Sequence, residues 1–166
     1  MDQKLTARQI TDCLLSYFVC KNRVAVIANW SVPAWGEADV YSVTNSLYAH
    51  EVEVKVSRSD YLRDFVSKKY KHMVLSGEVD TTQKNVPRTF SFAVPAGLVS
   101  VNEVPKYCGL IYIHPSVEGR SPVIEVVKKG PKIASAQKMS GSHMASMLRR
   151  LTWSYMRDRE RRHSQE

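Results

Sequence analysis

Four residues in two short stretches carry the strongest chemical pattern of this 166-residue chain. Glu37 and Asp39 come first, and Glu53 and Lys55 follow after thirteen intervening residues. Two or three carboxylates beside one lysine can hold a divalent metal over a phosphodiester. Mg²⁺ takes one or two carboxylates and completes its shell with waters and substrate phosphate oxygens.

Such a site needs two strands in register. Glu51, Glu53 and Lys55 alternate with Val52, Val54 and Val56, the period-two pattern of a strand with one apolar face. Glu37, Asp39 and Tyr41 share a face of the preceding strand. A turn over Thr44 to Tyr48, centred near Ser46, makes the two strands antiparallel and sets Asp39 opposite Glu53. Directly opposed β-carbons lie about 5 Å apart, close enough for both carboxylates to reach one ion.

The flanking elements follow from hydrophobic spacing. Residues 6 to 18 predict a helix with Thr6 as N-cap and Ile10, Cys13, Leu14, Tyr17 and Phe18 as its apolar stripe. Arg23 to Trp30 predicts a strand, and Ser31 to Gly36 a loop. Ser59 is placed to cap a second helix through Leu75, with Leu62, Phe65, Val66, Tyr70 and Met73 facing inward. Residues 78 to 88 predict a connection. Strands are expected near Thr89 to Val94, Gly109 to His114 and Val123 to Lys128. A polar linker at about 129–142 leads into a basic C-terminal helix at about 142–163, its stripe being Met144, Met147, Leu148, Leu151 and Tyr155. This order argues for an α/β fold, a mixed sheet flanked by helices, in one domain spanning 1–166.

Asp39 followed by Glu53-Val54-Lys55 resembles the PD-(D/E)xK nuclease signature, with Ala38 where that pattern has proline. The run from Glu53 through Ser57, Arg58, Asp60 and Asp64 to Lys69-Tyr70-Lys71-His72, with Phe90 to Pro95 and Val104 to Ile111, is similar to bacterial and phage MmcB-like DNA-repair proteins of that superfamily. The resemblance covers roughly residues 5 to 113. It implies a restriction-endonuclease-like central sheet and a Mg²⁺-dependent DNA endonuclease, with Mn²⁺ able to substitute. Asp39, Glu53 and the main-chain carbonyl of Val54 are then the metal ligands. Glu37 is a candidate for a second ion or a ligand water, and Asp12 on the first helix is a weaker candidate. Lys55 would orient or deprotonate the attacking water and offset transition-state charge.

A net charge of +8 is consistent with a polyanionic partner such as DNA. Ser57 and Arg58 lie where the motif strand meets the second helix, a place suited to a phosphate. Lys69, Lys71, Arg149 and Arg150 are further candidates for backbone contacts. Trp30, Trp35 and Tyr41 could stack on unpaired bases, although aromatics near a sheet are more often core residues.

Cys13, Cys20 and Cys108 contain no CxxC, and the five histidines have no metalloprotease or HNH-like spacing. No glycine-rich phosphate loop implies ATP use. No apolar run reaches a membrane span and Met1-Asp-Gln-Lys begins no signal peptide, so a cytoplasmic protein is expected. The oligomeric state stays open, a homodimer included. Two rival readings also stay open: a catalytically inactive nucleic-acid-binding protein on the nuclease fold, and a basic protein-interaction or inhibitor module.

Overall fold

The computed structural model describes residues 4–80, 82, 85–116 and 122–164. Helix α1 (Ala7–Cys20) precedes strands β1 (Ala25–Val32), β2 (Gly36–Val43) and β3 (Ala49–Val54). Helices α2 (Arg58–Ser67) and α3 (Lys69–Ser76) lead to β4 (Thr89–Pro95), β5 (Gly109–His114) and β6 (Val123–Lys128), and α4 (Gly141–His163) closes the chain. The strands lie in sequence order in one six-stranded sheet. β3, β4 and β5 run parallel, and the remaining pairings are antiparallel. This is the mixed, helix-flanked sheet that the hydrophobic pattern predicts.

Each face has its own cover. The Thr6 hydroxyl accepts the Gln9 N–H at 3.2 Å while the Gln9 side chain accepts the Thr6 N–H at 2.9 Å, a reciprocal cap that starts α1. Ile10, Leu14 and Phe18 of α1 then pack on Val40, Val52, Val54, Ala93 and Ile111. On the opposite face, Tyr61, Val74, Leu75 and Met147 from α2, α3 and α4 cover Tyr41, Phe90, Phe92 and Leu110. The β2–β3 turn closes where expected, with the Thr44 N–H donating to the Tyr48 carbonyl at 2.9 Å.

The second helix differs from its prediction. It breaks at Lys68 (φ −112°, ψ 32°), and Ser57 rather than Ser59 caps it by accepting the Asp60 N–H at 3.2 Å. Its inward residues are Tyr61, Asp64, Lys71, His72, Val74 and Leu75, whereas Leu62, Val66 and Tyr70 are exposed at 55%, 79% and 51%. The physical reason is the surface beneath it. α2 and α3 lie over the charged side of β3, so they turn inward the groups that can pair with carboxylates.

The C-terminal helix also docks less than its stripe suggests. Ser140 caps it, His143 and Met147 are buried, but Leu148 and Tyr155 are exposed. The preceding linker is tied to the body, with the Ile133 N–H on the Arg88 carbonyl and the Met139 N–H on the Leu47 carbonyl, both at 2.8 Å. β1 runs on through Ser31 and Val32, which the sequence pattern assigned to a loop. Among the described residues, no helix is long and apolar enough to cross a membrane.

Candidate active site

The β1–β2 hairpin contains a local irregularity that positions Asp39. In β1, the residues on the α2–α3 side are Ala25 and Ile27, then Trp30 and Val32; in β2 they are Ala38, then Tyr41 and Val43. Both strands therefore slip by one residue in their in-out alternation, at Asn29 and Asp39, so Glu37, Asp39 and Tyr41 do not share the continuous face that strict alternation predicts. Asn29 takes the left-handed backbone conformation (φ 48°) that asparagine tolerates better than most residues. The ladder pairs Ala28 with Val40 and Trp30 with Ala38, which places Asn29 across from Asp39.

On its other side, β2 pairs Val40 with Val52, and one further step in that register brings Asp39 opposite Glu53. Asp39 Oδ2 accepts the main-chain N–H of Val54 at 2.7 Å. The carboxylate thus holds the residue between Glu53 and Lys55. Burial, and next the charge of Glu53, push the Asp39 carboxyl above its ordinary range, while the Val54 N–H, Lys68 and Lys55 pull it down. Two carboxylates compete for positive charge at this point.

The charged side of β3 is almost fully enclosed: Glu53 is 2% exposed and Glu51 is 0%. Lys55 Nζ lies 3.1 Å from Glu53 Oε1 and 2.6 Å from Asp64 Oδ1. Lys68, at the break between α2 and α3, also pairs with Glu53 and reaches Asp64 Oδ1 at 3.5 Å. His72 Nε2 lies 2.9 Å from Asp64 Oδ2, and its Nδ1 lies 3.2 Å from the Tyr107 hydroxyl, so both ring nitrogens have a partner. Burial opposes ionisation of Asp64, but His72, Lys55 and Lys68 outweigh it and hold the carboxyl well below its ordinary range.

Burial alone would lower the Lys55 pKa, yet Glu53 and Asp64 together raise it above the usual lysine value. Its placement between these two carboxylates suits it to offset negative charge.

Glu53 Oε2 is buried and has no hydrogen-bond partner among the described residues. Such a carboxylate oxygen beside the Asp39 carboxyl, whose ionisation burial and Glu53 oppose, is a donor set that fits a hard divalent cation. Asp39, Glu53 and the Val54 carbonyl would hold it. Among the described residues, no cluster of three or more His, Cys, Asp or Glu side chains forms a metal cage. The proposed set, two carboxylates and a main-chain oxygen, is a sparser arrangement. Asp39 and Val54 also line a cleft of about 450 Å³ together with Asp12, Arg8 and Thr11 of α1. The structure thereby brings Asp12 into the surroundings of Asp39.

The other expected site residues divide. Glu37 is exposed, and its main-chain oxygen accepts from Lys71 Nζ at 3.2 Å. Lys71 is corrected from a DNA contact to an internal group. It is buried, its ammonium is paired with Glu51, and Trp35 Nε1–H donates to the other Glu51 oxygen at 2.6 Å. Ser57 is used as a helix cap, and exposed Arg58 pairs with Glu103. Lys69 and Arg149 are exposed, and Arg150 reaches Ser154 along its own helix at 3.3 Å. Trp30, Trp35 and Tyr41 are core residues, with Trp30 packed edge-on against Tyr41. Tyr107 was not singled out by the sequence pattern, whereas the pairing of Lys68 with Asp64 follows from their spacing and is present at 3.5 Å.

Neither a family model nor a curated protein matches this chain. Among solved structures it is similar to the SPO1766 protein of unknown function from Silicibacter pomeroyi, with a TM-score of 0.59. The two share 14% sequence identity, over 94% of this chain and 90% of the other. At that identity the likeness concerns the fold alone.

Proposed function

We propose that the chain is a metal-dependent DNA endonuclease that hydrolyses phosphodiester bonds in DNA repair, recombination or phage DNA metabolism. The observation that carries this reading is the convergence of Asp39, Glu53 and Lys55 at one end of the β2–β3 pair, with Glu53 Oε2 left without a hydrogen-bond partner among the described residues. A bound Mg²⁺ or Mn²⁺ would polarise the scissile phosphate and acidify a nucleophilic water. Asp39 orients the Glu53–Lys55 segment through the Val54 N–H. Lys55, kept protonated by Glu53 and Asp64, supplies fixed positive charge toward the phosphate without any reorganisation. Asp64, in turn held by His72, fixes the lysine in place.

A second reading is favoured by one contact. Lys68 already pairs with Glu53, so a cationic side chain provides part of the charge a metal would bring. A protein that keeps the fold and binds nucleic acid without cutting it is consistent with that arrangement. Branched, nicked and single-stranded DNAs incubated with and without Mg²⁺ or Mn²⁺ separate the two. Metal-dependent cleavage lost in Asp39→Asn supports the nuclease. Salt-sensitive binding without cleavage supports the second reading, and absence of DNA binding defeats both in favour of a protein-interaction role.

A further inference from the structure

A second cavity, of about 540 Å³, opens on the α1 side of the sheet, at the opposite end of β3 from Glu53. Its volume falls in the range of small-molecule sites. His50 at the start of β3 marks its inner wall and packs edge-on against Phe18 of α1, ring centroids 5.3 Å apart. None of Asp39, Glu53, Val54 and Lys55 lines it, so this cavity is separate from the candidate active site.

The charge lining it is of one sign. Lys21, Arg23, Lys128 and Lys129 border the cavity, and no carboxylate does. Lys128 is committed elsewhere, since its Nζ donates to the Pro105 carbonyl at 2.8 Å. Among the described residues, Lys21, Arg23 and Lys129 have no carboxylate within ion-pair distance. Lys21 also ends α1, where the helix itself favours a cation. Arg23 has no such explanation. Its guanidinium lies over the Phe18 ring, 5.5 Å from the centroid, and is half-buried. Partly desolvating a guanidinium without a counter-charge is costly unless an anion joins it.

The remainder of the wall is built to take a ring with polar edges. Tyr17 provides half-buried apolar surface, with Phe18 and Ile111 closed behind it, and Asn22, Asn45 and Thr89 provide donors and acceptors. His50 Nε2 and the Ser91 hydroxyl are 3.1 Å apart at the base. Glycine at 109 makes that contact feasible, because a β-carbon there would lie 2.4 Å from Ser91 Oγ. The space far exceeds that of a bare phosphate.

We propose that this cavity binds a nucleoside monophosphate, free or as the 5′-phosphorylated end of a strand, with the phosphate on Arg23, Lys21 and Lys129 and the base against Tyr17. The inference does not depend on metal chemistry at Asp39. His50 is a built-in reporter. Burial first, and the Arg23 charge second, hold its imidazole neutral, down to a pKa of about 3. An anion neutralising Arg23 would relieve the second cause and raise that value.

The test is NMR titration of the full chain with dTMP, thymidine, inorganic phosphate and a short oligothymidylate with or without a 5′-phosphate. The expected result is saturable binding of dTMP at least tenfold tighter than thymidine or inorganic phosphate, with an upward shift of the His50 titration. Arg23→Gln should weaken dTMP at least tenfold with unchanged melting temperature. If the phosphorylated oligonucleotide binds like dTMP, the source is a strand end; if only dTMP binds, it is the free nucleotide. Equal binding of dTMP and thymidine, equal binding of dTMP and inorganic phosphate, no binding of any phosphorylated probe, or an unaffected Arg23→Gln would each overturn the proposal.

Discussion

The carboxylate of Asp39 accepts the main-chain N–H of Val54 at 2.7 Å, and so fixes β2 to the residue between Glu53 and Lys55. A side chain here replaces a ladder bond at the point where the hairpin alternation slips. Asp39 therefore has two roles, one structural and one chemical, which a substitution can separate.

Asp39→Asn keeps an oxygen that can accept from Val54, but it removes the negative charge. Stability should fall by no more than about 1 kcal/mol, the scale of one altered hydrogen bond. Metal-dependent cleavage should fall at least a hundredfold. Denaturant melts and single-turnover assays on the same preparation check both parts. A variant that cuts DNA normally would remove Asp39 from the chemistry.

Lys68 competes with any cation for Glu53. Burial would lower its pKa, but the Glu53, Asp64 and Asp39 carboxylates raise it above the usual lysine value, so it is charged at every ordinary pH. Its partial exposure makes Lys68→Ala a mild change for the fold. Removing one positive charge from the carboxylates should tighten Mn²⁺ binding on the order of tenfold, about 1.4 kcal/mol. Calorimetry or Mn²⁺ relaxation enhancement measures this. Unchanged or weaker Mn²⁺ binding would count against a metal at Glu53.

Glu51 belongs to the fold and not to the chemistry. Its two oxygens are taken by Lys71 and Trp35 in a fully enclosed place. Glu51→Ala strands a buried ammonium and an indole N–H, which should cost about 3–5 kcal/mol. Urea unfolding monitored by tryptophan fluorescence gives the number. A loss below about 1 kcal/mol would mean that water reaches Lys71.

The alternation at Glu51, Glu53 and Lys55 made the strand and the Asp39–Glu53 register readable in advance, because period two and turn length together determine which residues oppose each other. What covered that strand was not readable. Charged alternation ordinarily signals solvent, and helical periodicity weights Leu62 and Val66 above Lys71 and His72. The charged face of β3 reverses that weighting, since buried carboxylates require lysine and histidine above them. The break at Lys68 has no glycine or proline to announce it. Likewise, nothing local to Trp35 indicates that its N–H will reach Glu51, a contact made only once the sheet and α3 have assembled.

Acid sensitivity should trace to two histidines. Burial holds His143 below its ordinary pKa, with neither ring nitrogen hydrogen-bonded among the described residues, and burial together with Arg23 holds His50 near 3. In the unfolded chain both titrate near 6.5. Below that pH the unfolded state binds protons that the native state refuses, so stability is complete above about 6.5 and falls as pH drops toward the folded values. Each such proton contributes a slope of up to about 1.4 kcal/mol per pH unit. His143→Phe retains an aromatic ring against Trp30 and should flatten the profile between pH 5 and 6.5, and adding His50→Gln should flatten it further. Chemical denaturation at several pH values provides the curve. Identical slopes in wild type and double variant would contradict the assignment.

The distal half of α4 offers the clearest test of where nucleic acid touches the protein. Its docking ends after Met147 and Leu151, and Arg157, Arg159, Arg161 and Arg162 extend past that point, all exposed. Trp153 and Tyr155 are exposed on the same segment. Arginines that meet phosphates release counterions, and each lost duplex contact lowers the slope of log affinity against log salt by about 0.9. Converting all four to glutamine should therefore weaken binding to unrelated sequences equally and reduce the slope by about 3–4 units. The fold should be unaffected, because none of the four is buried. Fluorescence anisotropy at several salt concentrations, with two DNAs of different sequence, reads both quantities. A slope that does not change would confine the nucleic-acid surface to the sheet end near Asp39 and the exposed side of α2 and α3, where Lys69 remains available.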